Sequence, residues 1–186
     1  MDDVTLLRGV LGKTADLVDA VPDDAWERRT PCPDYDVRAL VGHIVGWSEV
    51  FAAAAQGEVY DGDPTAYTAG PDASGRFRKA AERIVDGWES LGTDRSVKLI
   101  GGGDIPAPMA VTMTATEYLA HGWDLATGAG LPVPFTAAEA QDTLGRIRQT
   151  LPAEYRGEGK AFGLIVEVPE DAPAIDRFVA FVGRRP

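Results

Sequence analysis

The amino-acid sequence predicts an all-α fold, a four-helix bundle with a small C-terminal helical annex. Three observations lead there. Apolar residues recur at three- and four-residue steps over several segments of three turns or more. Capping residues, prolines and glycines punctuate those segments. The strand candidates are too few to build a sheet of their own.

The first helix is expected over residues 3–21, where Val4, Leu7, Leu11, Thr14, Val18 and Val21 share one face and Pro22 ends the run. Thr30-Pro31-Cys32-Pro33-Asp34 is a stiff connector. Asp36 caps a second helix reaching about Gln56, with Val37, Leu40, Val41, Ile44, Ser48, Phe51 and Ala55 as its apolar stripe. Residues 57–71 are polar, rich in Gly and Asp, and read as a loop. A third helix covers residues 72–91, its face marked by Phe77, Ala81, Ile84, Trp88 and Leu91. A short strand at Val97–Ile100 leads into the Gly101-Gly102-Gly103-Asp104 turn. No Lys-Ser/Thr follows those glycines, so they are no phosphate loop.

The fourth helix runs from Ala107 to Thr127 and closes at Gly128 or Gly130. Thr136-Ala137-Ala138-Glu139 has the capping-box pattern that opens a fifth helix to Leu151, before Pro152. Phe162–Val168 is a weak strand candidate, and Pro173 starts a short helix that ends at Gly183. The expected organisation is a bundle with its following helix over residues 1–151, and an annex packed on it over residues 152–186.

Bulk properties narrow the function. The chain has 186 residues, 45% hydrophobic and 25% charged, enough for one real core. Its formal net charge of -11 repels polyanions, and no basic cluster offsets it, so nucleic acid is not expected as a partner. No apolar run approaches the ~20 residues of a membrane span, and the acidic start lacks the basic, apolar pattern of a secretory signal. The single Cys32 has no internal disulfide partner. A cytoplasmic protein is expected, with no membrane partner; a homodimer stays open.

The chemistry concentrates on the fourth helix. Between Ile105 and Thr127 the only charged or imidazole side chains are Glu117, His121 and Asp124. At ~100° per residue, Glu117 and His121 lie ~40° apart and Asp124 ~20° to the other side of Glu117. A buried carboxylate is costly unless it is paired or ligates a cation. A Glu and a His four residues apart on one face can reach a common ion. The chain's other histidine, His43, flanks the apolar stripe of the second helix, beside Asp36, Leu40 and Trp47. If the two helices are neighbours, His43, Glu117 and His121 form a two-histidine, one-carboxylate set suited to zinc, nickel, iron(II) or manganese.

Plainer readings stand beside this one. His43 alone is as well explained as a satisfied structural histidine, while a simple i,i+4 polar pair is the lesser reading of Glu117 with His121. Asp124 reads as a group that fixes a histidine tautomer or caps the helix, more than as a ligand. Cys32, between two prolines, reads as structural, with a reactive or ligating thiol the lesser alternative. Trp47 and Trp123 read as packing residues.

Two stretches carry a resemblance. Thr30-Pro31-Cys32-Pro33-Asp34-Tyr35-Asp36-Val37-Arg38, followed by Leu40 and His43, resembles the opening signature of the DinB-like superfamily, and more closely the metal-binding domain of mycothiol-dependent maleylpyruvate isomerase. Glu117-Tyr118-Leu119-Ala120-His121-Gly122-Trp123-Asp124-Leu125 is similar to the second signature of that family. The ending Phe178-Val179-Ala180-Phe181-Val182-Gly183-Arg184-Arg185-Pro186 resembles uncharacterised actinobacterial members. The resemblance implies an up-down-down-up bundle and one divalent ion held by His43, Glu117 and His121. It further implies a small thiol such as mycothiol as cosubstrate and a small electrophile as substrate. The residues after Leu151 are too few for the second domain that completes the active site of the isomerase, so isomerisation itself is not carried over.

The leading expectation is a metal-dependent thiol transferase or related enzyme, in which the ion lowers the pKa of a bound thiol. The alternatives are a metal-dependent hydrolase and a non-catalytic metal-binding or interaction protein. No surplus Glu or His beside the stripe offers a general base, which weighs against the hydrolase.

Overall fold

The computed structural model describes residues 1–186. Six α-helices and one two-stranded ribbon follow in the order α1 (Asp3–Asp19), α2 (Val37–Ala55), α3 (Ala73–Leu91), β1 (Ser96–Lys98), β2 (Asp104–Pro106), α4 (Ala107–Ala129), α5 (Ala137–Thr150) and α6 (Ala174–Phe181). Three of the helix starts are marked by side-chain caps. Asp2 accepts from the Thr5 amide, Asp36 from the Ala39 amide, and Thr136 with Glu139 forms the reciprocal capping box. Helix α1 stops at Asp19, short of the expected Val21, because Pro22 cannot continue it. Helix α4 runs two residues past Thr127 and ends on Gly130, whose φ of 74° lies in the left-handed region that glycine adopts without strain.

Helices α1 and α2 each pack against both α3 and α4, so α1/α2 and α3/α4 are the diagonals of a four-helix square. Directions follow from named contacts. Arg8 pairs with Glu89 while Arg78 pairs with Asp16 and Asp19, so α1 and α3 are antiparallel. Arg83 reaches Glu49, and Gly87 lies against Ala55, so α3 runs parallel to α2. The carbonyl of Ala129 accepts from Arg28, which sets the end of α4 near the start of α2. The result is the up-down-down-up order.

A parallel α2–α3 pair forces the intervening chain to travel back along α2. It does so in contact: Gly46 meets Pro64 and Gly42 meets Tyr67. A Cβ on Gly42 would sit 2.9 Å from the Tyr67 carbonyl oxygen, so only glycine lets the returning backbone lie this close.

Leu6, Leu7, Val10 and Leu11 of α1, Leu40 and Ile44 of α2, Phe77 and Ile84 of α3, and Tyr118, Leu119 and Leu125 of α4 fill one core. Each such side chain contributes about 1.5–3 kcal/mol on burial. Helix α4 is buried on nearly all sides because α1, α2 and α5 all pack on it, which is why its sequence is apolar all round.

The chain after Leu151 differs from expectation in one respect. Phe162–Val168 is extended but forms no ladder: Val166 donates to the Ala180 carbonyl, and Phe162 makes one isolated bridge with Arg156. No second extended segment lies beside it to pair with. Helix α6 packs on α5, and the residues beyond it turn back toward α4.

Candidate metal centre

Helix α2 positions His43, and α4 positions Glu117, His121 and Asp124. Asp36 fixes the start of α2, so His43 falls two turns in, on the flank facing α4. His43 Nε2 stands 2.6 Å from Glu117 Oε1, and His121 Nε2 stands 3.6 Å from the same oxygen. The two imidazoles meet edge to face with ring centroids 4.8 Å apart. One ligand-type atom from each of His43, Glu117 and His121 lies within 4.8 Å of the others. The three residues that the sequence singled out are thus brought together across α2 and α4, and the surroundings of Asp124 join them.

Each histidine is held from behind. Tyr35, in the turn before α2, places its hydroxyl 3.0 Å from His43 Nδ1. Asp124, fully buried, places Oδ2 3.1 Å from His121 Nδ1. With Nδ1 engaged, Nε2 of each ring is the nitrogen turned toward Glu117, and the Asp124 carboxylate, which accepts, favours a proton on His121 Nδ1. Asp124 is itself paired: Arg184 Nη2 lies 2.9 Å from Oδ2, and Nε lies 3.3 Å from both carboxylate oxygens. The Arg184 side chain is only 10% exposed, so this is an ion pair shielded from water.

The electrostatics follow the geometry. Burial pushes the Glu117 carboxyl up, but the charge of His121 and the hydrogen bond and charge of His43 outweigh it and bring the pKa down to about 2. Glu117 is therefore anionic at any ordinary pH, as a cation ligand must be. Burial pushes the Tyr35 hydroxyl up, so it remains a phenol. Burial also raises the Cys32 thiol, and the carboxylate of Asp124 adds to that. The Trp47 ring centroid stands 6.0 Å from that of His43, while Trp123 is buried packing.

Comparison with known proteins places the chain in a family and a fold. A family model described as the mycothiol maleylpyruvate isomerase N-terminal domain matches residues 7–126. That span is most of the chain and includes all of α2 and the Glu117–Asp124 stretch. The chain belongs to the mycothiol maleylpyruvate isomerase N-terminal domain family. Within reach of it is an uncharacterized protein of Mycobacterium tuberculosis, from strains CDC 1551 and H37Rv. It is 26% identical over 156 residues, which span 83% of this chain and 82% of the relative. Among solved structures, the mycothiol-dependent maleylpyruvate isomerase superposes with a TM-score of 0.64 at 15% identity. A mutant of that isomerase gives 0.65 at 16% identity. Both matches cover 98% of this chain and 80% of the other, and they show a shared DinB-like fold.

For this member of the mycothiol maleylpyruvate isomerase N-terminal domain family, two contributors to the site were not identified by sequence reasoning. Tyr35 lies before the α2 cap, where helical periodicity has nothing to say. Arg184 is 60 residues from Asp124. The only usable signal for it was a fully apolar helix carrying Asp124, which demanded a buried cation from somewhere. Cys32 comes close to His121 and Asp124, with ligand-type atoms within 4.8 Å.

Proposed function

We propose that the chain holds one divalent ion, zinc in the first instance, through His43, Glu117 and His121, and uses it to activate a small thiol against a small electrophile. The observation that supports this is the convergence of two imidazoles and one depressed carboxylate from two helices on a single point. Nitrogen and oxygen donors in this number suit zinc, with nickel, iron(II) and manganese as close competitors, and leave a coordination position for an exogenous ligand. A bound ion of this kind supplies Lewis acidity that makes a thiol a thiolate at neutral pH.

The protein's own residues do the positioning. Tyr35 and Asp124 hold the imidazole rings in place, and Glu117 contributes one negative charge, so the centre stays cationic and attracts an anionic sulfur. Mycothiol is the thiol proposed, because solved structures that superpose on this chain are of an isomerase dependent on it. The reducing cytoplasm, where the lone Cys32 stays a thiol, is the compartment proposed. No helix is long and apolar enough to cross a membrane.

The test has two arms. Purified protein is expected to carry up to one equivalent of metal, and His121→Ala to lose most of it; full occupancy in that variant would refute the ligand set. In a cobalt-substituted Cys32→Ser protein, millimolar mycothiol is expected to produce an intense sulfur-to-cobalt charge-transfer band. A spectrum unchanged by thiol discards thiol activation while leaving the ion in place.

A further inference from the structure

A second group of ligand-type side chains lies on the other edge of His121. Cys32, His121 and Asp124 each offer one donor atom, these atoms lie within 4.8 Å of one another, and all three residues are buried. Thiolate, imidazole and carboxylate together are a donor set that zinc accepts. His121 divides its ring between the two groups: Nε2 faces Glu117 and Nδ1 faces Asp124.

This second group already has a cation, and the chain supplies it. The guanidinium of Arg184 lies against both carboxylate oxygens of Asp124, in a position 10% exposed. A guanidinium cannot shed its charge, and its planar fork matches a carboxylate. A metal ion entering here would have to displace it or stand beside it in a poorly screened interior, where like charges repel strongly.

We propose that Arg184 is a built-in cation filling what would otherwise be a second metal site made of Cys32, His121 and Asp124, and that its charge confines the centre to one ion. Arg184 is then a residue that decides metal number, acting through Asp124. Removing its charge exposes a thiolate-containing site. An ion bound there forms bonds to Cys32 Sγ and His121 Nδ1, and the thiol proton and the Nδ1 proton are both released to solvent.

The experiment uses Arg184→Gln, which removes the charge but keeps an N–H donor for Asp124. Cobalt(II) added to the metal-free variant is expected to give a sulfur-to-cobalt charge-transfer band without any added thiol. Wild-type protein, Arg184→Lys and Arg184→Gln/Cys32→Ser are all expected to lack it. A wild-type protein that already shows the band overturns the proposal, as does a folded Arg184→Gln without it. Should Arg184→Gln fail to fold alone, added zinc is expected to restore its thermal transition by taking over Asp124; no restoration also overturns it. The outcome is separable from the thiol chemistry proposed above. Wild-type protein that binds no metal would sink the His43–Glu117–His121 centre, yet the band in Arg184→Gln would still stand.

Discussion

The two histidines of the centre are held in different ways. His43 leans on a neutral phenol, that of Tyr35, eight residues earlier in the chain and partly open to solvent. His121 leans on a fully buried carboxylate that a guanidinium 60 residues away neutralises. One support is uncharged; the other is ionic and depends on a counter-charge from far along the chain. A hydroxyl partner fixes a ring's orientation at little electrostatic cost, whereas a carboxylate also raises its basicity as a ligand and must itself be compensated. The charged support therefore does more for affinity and is the more fragile of the two.

The largest effect should come from breaking the ionic side. Asp124→Ala leaves Arg184 buried and unpaired, and is expected to cost about 3–5 kcal/mol of stability. It should also weaken metal binding by ~10–100-fold. Urea titration and competition with a chelator measure the two, and an Asp124→Ala protein as stable as wild type would contradict the account of that pair.

A smaller effect concerns the carboxylate between the two rings. The Glu117 pKa is depressed in the folded protein, to about 2, so its contribution to stability is complete above the unfolded value near 4.5. It should be lost as pH falls from there toward 2. Metal-free wild-type protein is therefore expected to lose more stability than metal-free Glu117→Gln across that window. Parallel curves for the two proteins would mean that the histidines do not hold the carboxylate.

The smallest effect should come from the neutral side. Tyr35→Phe keeps the ring and deletes only the hydroxyl, and is expected to cost about 1 kcal/mol. Its metal affinity should fall less than that of Asp124→Ala. If Tyr35→Phe proves the more damaging of the two, the ranking of the supports is reversed.

Much of this was legible in the sequence, for identifiable reasons. Helix boundaries were readable at Asp36, Thr136 and Gly130 because capping is a contact between near neighbours. The Glu117–His121–Asp124 stripe was readable because one helix carries all three and everything around them is apolar. The pairing of His43 with Glu117 required only that α2 and α4 be neighbours. Arg184 was not readable, since helical periodicity cannot link a residue beyond α6 to one on α4. Phe162–Val168 has strand-like residues, but a ladder needs a second segment, and composition alone does not provide one.

The parallel pairing of α2 and α3 carries a consequence for the order of events in folding. Residues 56–72 must retrace α2 before α3 can dock, and His43 meets Glu117 only across 74 residues of chain. Closing loops of that length precedes any benefit from the contacts they allow. An ion that needs both helices in place cannot nucleate the chain; it engages only after the barrier has been crossed. Its effect should then fall on escape from the native state: added metal is expected to slow unfolding and leave the refolding rate nearly unchanged.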